Sequence, residues 1–243
     1  MDADPKSPLQ EGRPSAFHAA PCSALLDLRL GDCMEIMATF PDGHFDLAIV
    51  DPPYGINAGA VKKYCSKNAK TYNPKPWDSK TPDQAYFDEL MRVSKRQIVW
   101  GGNYYASKLP DSRGWIFWDK RKYVDNFADG ELAWTSYDRN LKKVTLQHHG
   151  FLTADVDSAI HPTQKPVFLY RWVLENYANP GDRILDTHMG SGSIAIACHY
   201  ARLHLTACEI DHDYFTASCA RIERETAQDS FCFPNDKLTD SRT

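Results

Sequence analysis

Short apolar runs and amphipathic stretches alternate along the middle of this chain, and their periods predict which are strands and which are helices. Phe45 to Val50 is an apolar run closed by Asp51-Pro52-Pro53, the pattern of a strand buried on both faces. Gln97 to Trp100 is another buried strand, and Trp115 to Trp118, Leu132 to Tyr137, Arg183 to Asp186 and Leu203 to Cys208 read as further strands. Helical spacing lies between several of them. Pro82 to Val93 reads as a helix with Thr81 as its N-cap, and Gln164 to Tyr177 as one stopped by Asn179-Pro180-Gly181. Two more run from the Gly190-Ser191-Gly192 turn through Tyr200, and from His212 to Glu225. Such alternation predicts an α/β sheet with helices on both faces. The two ends lack any period. Residues 1–21 mix Pro, Ser, Ala and charge and read as a loosely held arm, and similar composition returns from Thr226, with Phe231 and Phe233 as anchors. The expected organisation is an arm over 1–21, one domain over 22–228 and a tail over 229–243.

Composition narrows the class. With 243 residues and 42% hydrophobic content, the chain can fill one large core and is short for two independent ones. No apolar run approaches the ~18 to 20 residues that cross a bilayer. Met1 to Pro21 has no basic start followed by an apolar stretch, so no secretory signal is expected and the cytoplasm is the expected compartment. The seven cysteines are odd in number and irregularly spaced, without a Cys-x-x-Cys pair, which suggests neither a disulfide framework nor a zinc ribbon. His148-His149 has no second ligand pair at zinc spacing, so no metal is expected. The net charge of −4 argues against a protein that coats DNA through phosphates alone, and leaves room for a local basic surface.

Two segments carry candidate chemistry. Asp186-Thr187-His188-Met189-Gly190-Ser191-Gly192-Ser193 leaves a strand and opens a helix, and Glu209 ends the next strand. Glycines allow a ligand close to the backbone, and an acidic side chain at that distance commonly holds ribose hydroxyls. The segment lacks the three-glycine phosphate fingerprint, so it fits a nucleoside without pyrophosphate, or simply a tight strand-to-helix turn. Asp51-Pro52-Pro53-Tyr54-Gly55 is a stiff corner past a buried strand, because proline fixes its own φ and restricts its predecessor. It presents the Asp51 carboxylate and the Pro52 carbonyl as acceptors, followed by an aromatic ring. Two fixed acceptors suit an aromatic amine, whose two N–H groups they can hold while its lone pair faces an electrophile. A structural Pro-Pro turn is the alternative. Residues 61–80 interleave Lys62, Lys63, Lys67, Lys70, Lys75 and Lys80 with Tyr64, Tyr72 and Trp77, the composition of a DNA-closing loop or of a solvated one. Lys120, Arg121, Lys122, Arg139, Lys142 and Lys143 offer a second basic surface.

Taken together, these motifs resemble the permuted, β-class DNA amino-methyltransferases, in which a DPPY corner precedes the glycine motif. Asp51 to Tyr54 precedes Gly190 to Ser193 here, and the resemblance covers residues 29 to 225. Gly31-Asp32-Cys33 resembles the family's short motif ahead of the catalytic strand, and His161 to Pro166 resembles its HPTQKP motif. Asp186, Gly190 and Gly192 match its DxFxGxG pattern, with His188 where the family has Phe. The resemblance implies a Rossmann-like doubly wound mixed sheet with permuted motif order, and S-adenosylmethionine as cofactor, converted to S-adenosylhomocysteine. It implies cofactor contacts from Asp32, Cys33, Asp51, Thr163, Lys165, Asp186, His188, Gly190, Ser191, Gly192, Ser193 and Glu209, with Thr163 and Lys165 near the methionine end. Asp51, Pro52, Pro53 and Tyr54 would be catalytic, with Tyr54 stacked on a flipped-out base. Lys62, Lys63 and Lys67 would touch DNA, and DNA-contacting insertions are expected near 56–82 and 138–160. The expected partner is DNA, not a membrane, with a homodimer left open. The expected product is N6-methyladenine, with N4-methylcytosine or a non-catalytic DNA-binding module as alternatives.

Overall fold

The structure is a computed structural model that describes residues 26–58, 76–121, 128–145 and 163–227. The N-terminal arm, the tail, Lys62, Lys63, Lys67, Lys122 and His148-His149 lie outside the described residues, as do parts of both expected insertions.

The described strands are β1 (Leu26–Leu30), β2 (Leu47–Val50), β3 (Gln97–Trp100), β4 (Trp115–Asp119), β5 (Gly130–Thr135), β6 (Lys142–Thr145), β7 (Arg183–Asp186) and β8 (His204–Glu209). They form one sheet in the order β1-β8-β7-β2-β3-β5-β4-β6. Neighbours are parallel except at β5, which runs against both β3 and β4. The helices are α1 (Cys33–Ala38), α2 (Gln84–Val93), α3 (Val167–Tyr177), α4 (Ser193–Ala201) and α5 (His212–Thr226). The doubly wound mixed sheet expected from the resemblance is the fold of this chain.

Helices cover both faces because the central strands are apolar on both. Along β2, Leu47 and Ile49 join one core and Ala48 and Val50 the other, and β3 divides Ile98 and Trp100 from Val99 in the same way. The first core receives Leu169, Val173 and Leu174 of α3 and the buried run Ile194 to Cys198 of α4. The second receives Met37 of α1 with Phe87, Leu90 and Val93 of α2. A strand that contributes to two cores must read as a continuous apolar run, and that is why these central strands were legible.

Three elements were missed, each for want of buried residues. Edge strand β6 buries only Val144, α1 buries only Met37, and β1 is half-buried up to an exposed Leu30. None offers a window in which periodicity stands out. Two helix starts also move. The N-cap of α2 is Asp83, not Thr81: the Asp83 carboxylate accepts the Tyr86 N–H at 3.1 Å, while the Thr81 hydroxyl accepts from Lys108 Nζ at 3.0 Å. Helix α3 begins at Val167 rather than Gln164, with Pro166 at its cap. Proline disfavours helical geometry at the residue before it, which keeps Lys165 outside the helix.

The corrected cap predicts that Asp83→Ala costs about 1 kcal/mol of stability, the usual worth of an N-cap. Thr81→Ala should cost less than half as much in the same urea titrations, and the reverse ranking would return the cap to Thr81.

Candidate active site

The sheet order sets where a ligand can enter. The chain passes from β2 through α2 to β3 on one side, and from β7 through α4 to β8 on the other, while β2 and β7 are adjacent parallel strands. Crossovers leaving in opposite directions open a crevice beyond the carboxyl ends of those two strands. Ala48 pairs with Leu185. The Asp51 corner and the glycine turn both begin a few residues past that pair, so they meet at the same crevice.

The corner is braced from several sides. The Tyr54 hydroxyl donates to Asp51 Oδ1 at 2.6 Å. Tyr105, just past β3, directs its hydroxyl at the carbonyls of Pro52 and Pro53, at 2.6 and 2.7 Å. Asp78, buried, accepts the N–H groups of Gly55 at 2.8 Å and Ala58 at 2.7 Å and so holds the chain leaving the corner. Gly101 is a glycine by necessity: φ is +70°, and a Cβ there would lie 2.3 Å from Tyr54 Cε1. The Tyr54 ring stacks on Tyr104 with centroids 4.8 Å apart and 12° between planes. Both predicted acceptors therefore already hold hydrogen bonds. A carbonyl has two lone pairs and a carboxylate about four sites, so each retains capacity for one more donor.

A buried ammonium stands against the corner. Lys165 Nζ lies 2.5 Å from Asp51 Oδ2, 3.1 Å from the Tyr54 hydroxyl and 3.1 Å from Glu131 Oε2. The Lys165 side chain is 4% exposed. Its three hydrogens match those three oxygens, so it faces the corner. Lys120, just past β4, pairs with Glu131 Oε1 and lies 4.9 Å from the centre of the Trp118 ring. The result is an alternating chain of charge, Lys120–Glu131–Lys165–Asp51. Burial opposes ionisation of Glu131, but the Lys165 and Lys120 cations overcome it and hold that carboxyl at about 2. Burial likewise opposes charge on Lys165, and Asp51 and Glu131 reverse the balance and raise it. Burial pushes the Tyr54 hydroxyl up, so it stays a donor.

Across the crevice the glycine turn is built on carboxylates and an arginine. Gly190 and Gly192 have φ of +52° and +74°. Glu209, at the end of β8, accepts the Gly190 N–H through Oε2 at 2.9 Å and the Asp211 N–H through Oε1 at 3.0 Å. Asp186, buried, accepts the His188 N–H at 3.0 Å. Asp32 caps α1 by accepting the Met34 N–H at 2.7 Å, and the neighbouring Gly31 N–H bonds the Glu209 carbonyl at 2.9 Å. Cys33 opens α1 with its thiol pushed up to about 12 by burial. Ser191 and Ser193 are buried with hydroxyls 3.2 Å apart, and Arg221 of α5 bonds the Ser191 carbonyl and the Ser193 hydroxyl, each at 2.9 Å. His188 Nδ1 is 2.9 Å from the Thr187 hydroxyl, itself 2.6 Å from the buried Tyr86 hydroxyl. Burial lowers His188 to about 4, so its ring is neutral near pH 7. Thr163 is exposed, two positions before Lys165.

Sequence reasoning missed Glu131, Lys120, Tyr105, Asp78 and Arg221, all of which position the site. Lys120 carried the only usable signal, but as part of a basic surface. Three of that surface's cations are engaged within the fold: Lys120 with Glu131, Lys143 with Asp119 at 2.8 Å, and Arg139 with the Asn176 carbonyl at 2.9 Å and the Tyr137 and Tyr177 rings.

Comparison with known proteins fits this geometry. A family model described as DNA methylase, covering N6 and N4 methyltransferases, matches residues 69–219. YubD of Escherichia coli (strain K12), a methylase by name, is 24% identical over 212 residues, 79% of this chain and 88% of that one. The solved complex of M1.HpyAVI with SAM has a TM-score of 0.56 at 18% identity, covering 81% of this chain and 100% of that one. PvuII DNA methyltransferase, cytosine-N4-specific, has a TM-score of 0.55 at 13% identity, covering 85% and 93%. The last two are likenesses of fold.

Burial raises Asp186 to about 8, while an unfolded aspartate titrates near ~3.9. Between those values the folded chain binds the extra proton, so stability falls as pH rises and levels off above the folded value. Glu209, also raised by burial, acts in the same sense. His188, lowered to about 4, acts in the opposite sense, but only up to the ordinary imidazole value of ~6.5. The window from pH ~6.5 to ~8 thus belongs to the acids. Asp186→Asn is expected to remove most of the decline there, measured as urea midpoints at constant ionic strength. An unchanged slope would show that Asp186 ionises normally.

Proposed function

This chain belongs to the N6/N4 DNA methylase family, and from that premise we propose that it methylates the N6 amino group of adenine at particular DNA sites, on a base turned out of the duplex. The observation that carries the reading is the meeting of the Asp51 corner and the glycine turn at one crevice, where β2 and β7 lie side by side.

The family depends on S-adenosylmethionine, and the residues at the glycine turn fit it. A Cβ at Gly190 would meet nothing nearer than the His188 carbonyl at 3.8 Å, so the bare backbone borders open space. Glu209 and Asp32 keep acceptor capacity for ribose hydroxyls and for the adenine of the cofactor, and Asp186, His188, Gly190 and Gly192 line the turn between them. We assign to the same pocket Cys33, Asp51, Thr163, Ser191 and Ser193, the two serines acting through the backbone that Arg221 holds. When bound, S-adenosylmethionine supplies an electrophilic sulfonium methyl, and S-adenosylhomocysteine remains after transfer.

The chain's own residues then have defined tasks. The amine of an adenine is a weak nucleophile, because its lone pair is spread into the ring. Asp51 accepts one N–H and the Pro52 carbonyl the other, which turns that lone pair toward the methyl donor. The nitrogen gains a carbon and gives up one proton, held first at the Asp51 carboxylate. Tyr54 offers a ring for the base, and such stacking contributes ~1–3 kcal/mol. A base on the face now covered by Tyr104 takes the place of that ring, which is 45% exposed. Extrusion costs a few kcal/mol, which these contacts offset. Asp rather than Ser at position 51 is what favours adenine over cytosine, by association within the family. Lys62, Lys63 and Lys67 are assigned to DNA phosphates, and the cytoplasm to the protein as its place of action.

Labelled methyl incorporation into DNA, RNA and protein, followed by modified-base sequencing, tests the reading. We expect label in DNA alone, as N6-methyladenine in a fixed context. N4-methylcytosine would change the base and keep the family, whereas unlabelled DNA would refute the function. Asp51→Ala should lower the rate by about 10²–10³-fold or more, with cofactor affinity by calorimetry falling far less than the rate. Comparable loss of both would remove Asp51 from its assigned role. Neutralising Lys62, Lys63 and Lys67 together should reduce the slope of log affinity against log salt by about 2–3.

A further inference from the structure

The corner, the glycine turn and their occupants leave one feature unused: a chain of charge that reaches the corner from the far half of the sheet. Glu131 belongs to β5, two strands from β2 in the order β2-β3-β5. Because β5 is the antiparallel strand, its first residues sit at the end of the sheet where β2, β3 and β4 finish. In the β4–β5 register Trp118 lies opposite Glu131, which puts Lys120 just beyond β4 against the same carboxylate. Lys165 closes the chain from the opposite side, at the entrance to α3.

We propose that Glu131 is a positioning residue for methyl transfer: it holds Lys165 so that one ammonium fixes both the Asp51 carboxylate and the Tyr54 hydroxyl. The inference rests on the methyltransferase reading of this site. Two physical arguments support it. The first is geometric. The Lys165 ammonium has three hydrogens and three oxygen partners, and without the Glu131 oxygen at 3.1 Å its third hydrogen would be free to draw it off the corner. The second is electrostatic. During transfer, positive charge passes from a sulfonium to an amine, and an uncompensated buried ammonium beside it would oppose both the cofactor and the methylated amine. Glu131 supplies the compensating charge, and Lys120 in turn keeps Glu131 ionised. The sum over Lys120, Glu131, Lys165 and Asp51 is zero, so the corner is rigid without a local excess of either sign.

The groups that face Lys165 come from every neighbouring element. They are Asp51 and Tyr54 after β2, Glu131 on β5 with Lys120 behind it, and the Trp100 ring of β3 at 5.4 Å. Tyr170 of α3 feels both carboxylates, and Asp186 of β7 feels Asp51 and Lys165 itself. Desolvation alone would lower Lys165, and the two carboxylates raise it. Removing one of them lets desolvation gain ground, and the ammonium should lose its proton at lower pH.

The test compares the full chain with Glu131→Gln and Lys120→Met by two independent readouts. One is the NMR titration of the Lys165 side chain, assigned through Lys165→Arg; the other is the pH dependence of kcat and KM with DNA. In Glu131→Gln we expect the Lys165 titration to fall by about one unit or more. An alkaline limb in kcat should appear at correspondingly lower pH. At neutral pH kcat should fall by about 10-fold to 10²-fold, the scale of a misplacement of about 1 Å, with KM for DNA nearly unchanged. Lys120→Met leaves Glu131 to Lys165 alone, so its titration and limb should not move down. An unmoved Lys165 titration in Glu131→Gln overturns the proposal. So does a lowered titration with an unchanged kcat profile, or a fall in kcat that only follows thermal stability. Wild-type protein without DNA methylation would instead sink the methyltransferase reading, and the titration would still decide the charge chain.

Discussion

A buried ammonium needs both opposite charge and hydrogen-bond acceptors, and Lys165 finds them only if three separate parts of the chain arrive together. Asp51 and Tyr54 come from the turn after β2, Glu131 from β5, and Lys165 itself from the approach to α3. Desolvating such a charge costs several kcal/mol unless its partners are in place. The corner is therefore not a stiff dipeptide that happens to carry a carboxylate. It is one terminal of an ion chain whose satisfaction requires the whole sheet to be assembled.

The direction of one strand makes that assembly feasible. If β5 ran with its neighbours, Glu131 would sit at the opposite end of the sheet from Asp51. Reversed, β5 still pairs on both sides, Val99 with Trp134 across β3–β5 and Trp115 with Trp134 across β4–β5. The reversal delivers a carboxylate to the end where the crossovers on either side of β2 and β7 open the crevice. Tyr105 works in the same spirit from β3: its one hydroxyl secures two consecutive proline carbonyls, which have no N–H groups to fix them by turn hydrogen bonds.

In the opposite wall the charged side chains grip the turn itself rather than one another. Glu209 holds the Gly190 N–H, and Arg221 holds the Ser191 carbonyl and the Ser193 hydroxyl, so α5 braces a turn that itself belongs to the start of α4. At Gly192 a Cβ would lie 2.8 Å from Ile222 of that same helix, on a backbone with φ of +74°. Close packing and left-handed geometry thus both call for glycine there. His188, where the resembling family has Phe, is accommodated as a neutral ring joined to the Thr187 hydroxyl, which in turn meets the Tyr86 hydroxyl.

Much of this molecule could be read from residue order alone, because the features concerned are local. Strands β2, β3 and β7 announce themselves as apolar runs, since each serves two cores, and the Asp51-Pro52-Pro53-Tyr54 corner and Gly190-Ser191-Gly192 turn are stiff or permissive by covalent structure. The order of those motifs also carried the family. What the sequence could not reveal was partnership across long separations. Lys165 and Asp51 are 114 positions apart, and Tyr105 and Pro52 are 53 apart. A glutamate at the start of a strand looks like any solvated charge until a reversed strand, a lysine held outside α3 by the cap at Pro166 and a second lysine surround it. Pairing of that kind depends on sheet order and strand direction, which are set by which apolar faces pack together, and only the folded chain decides that.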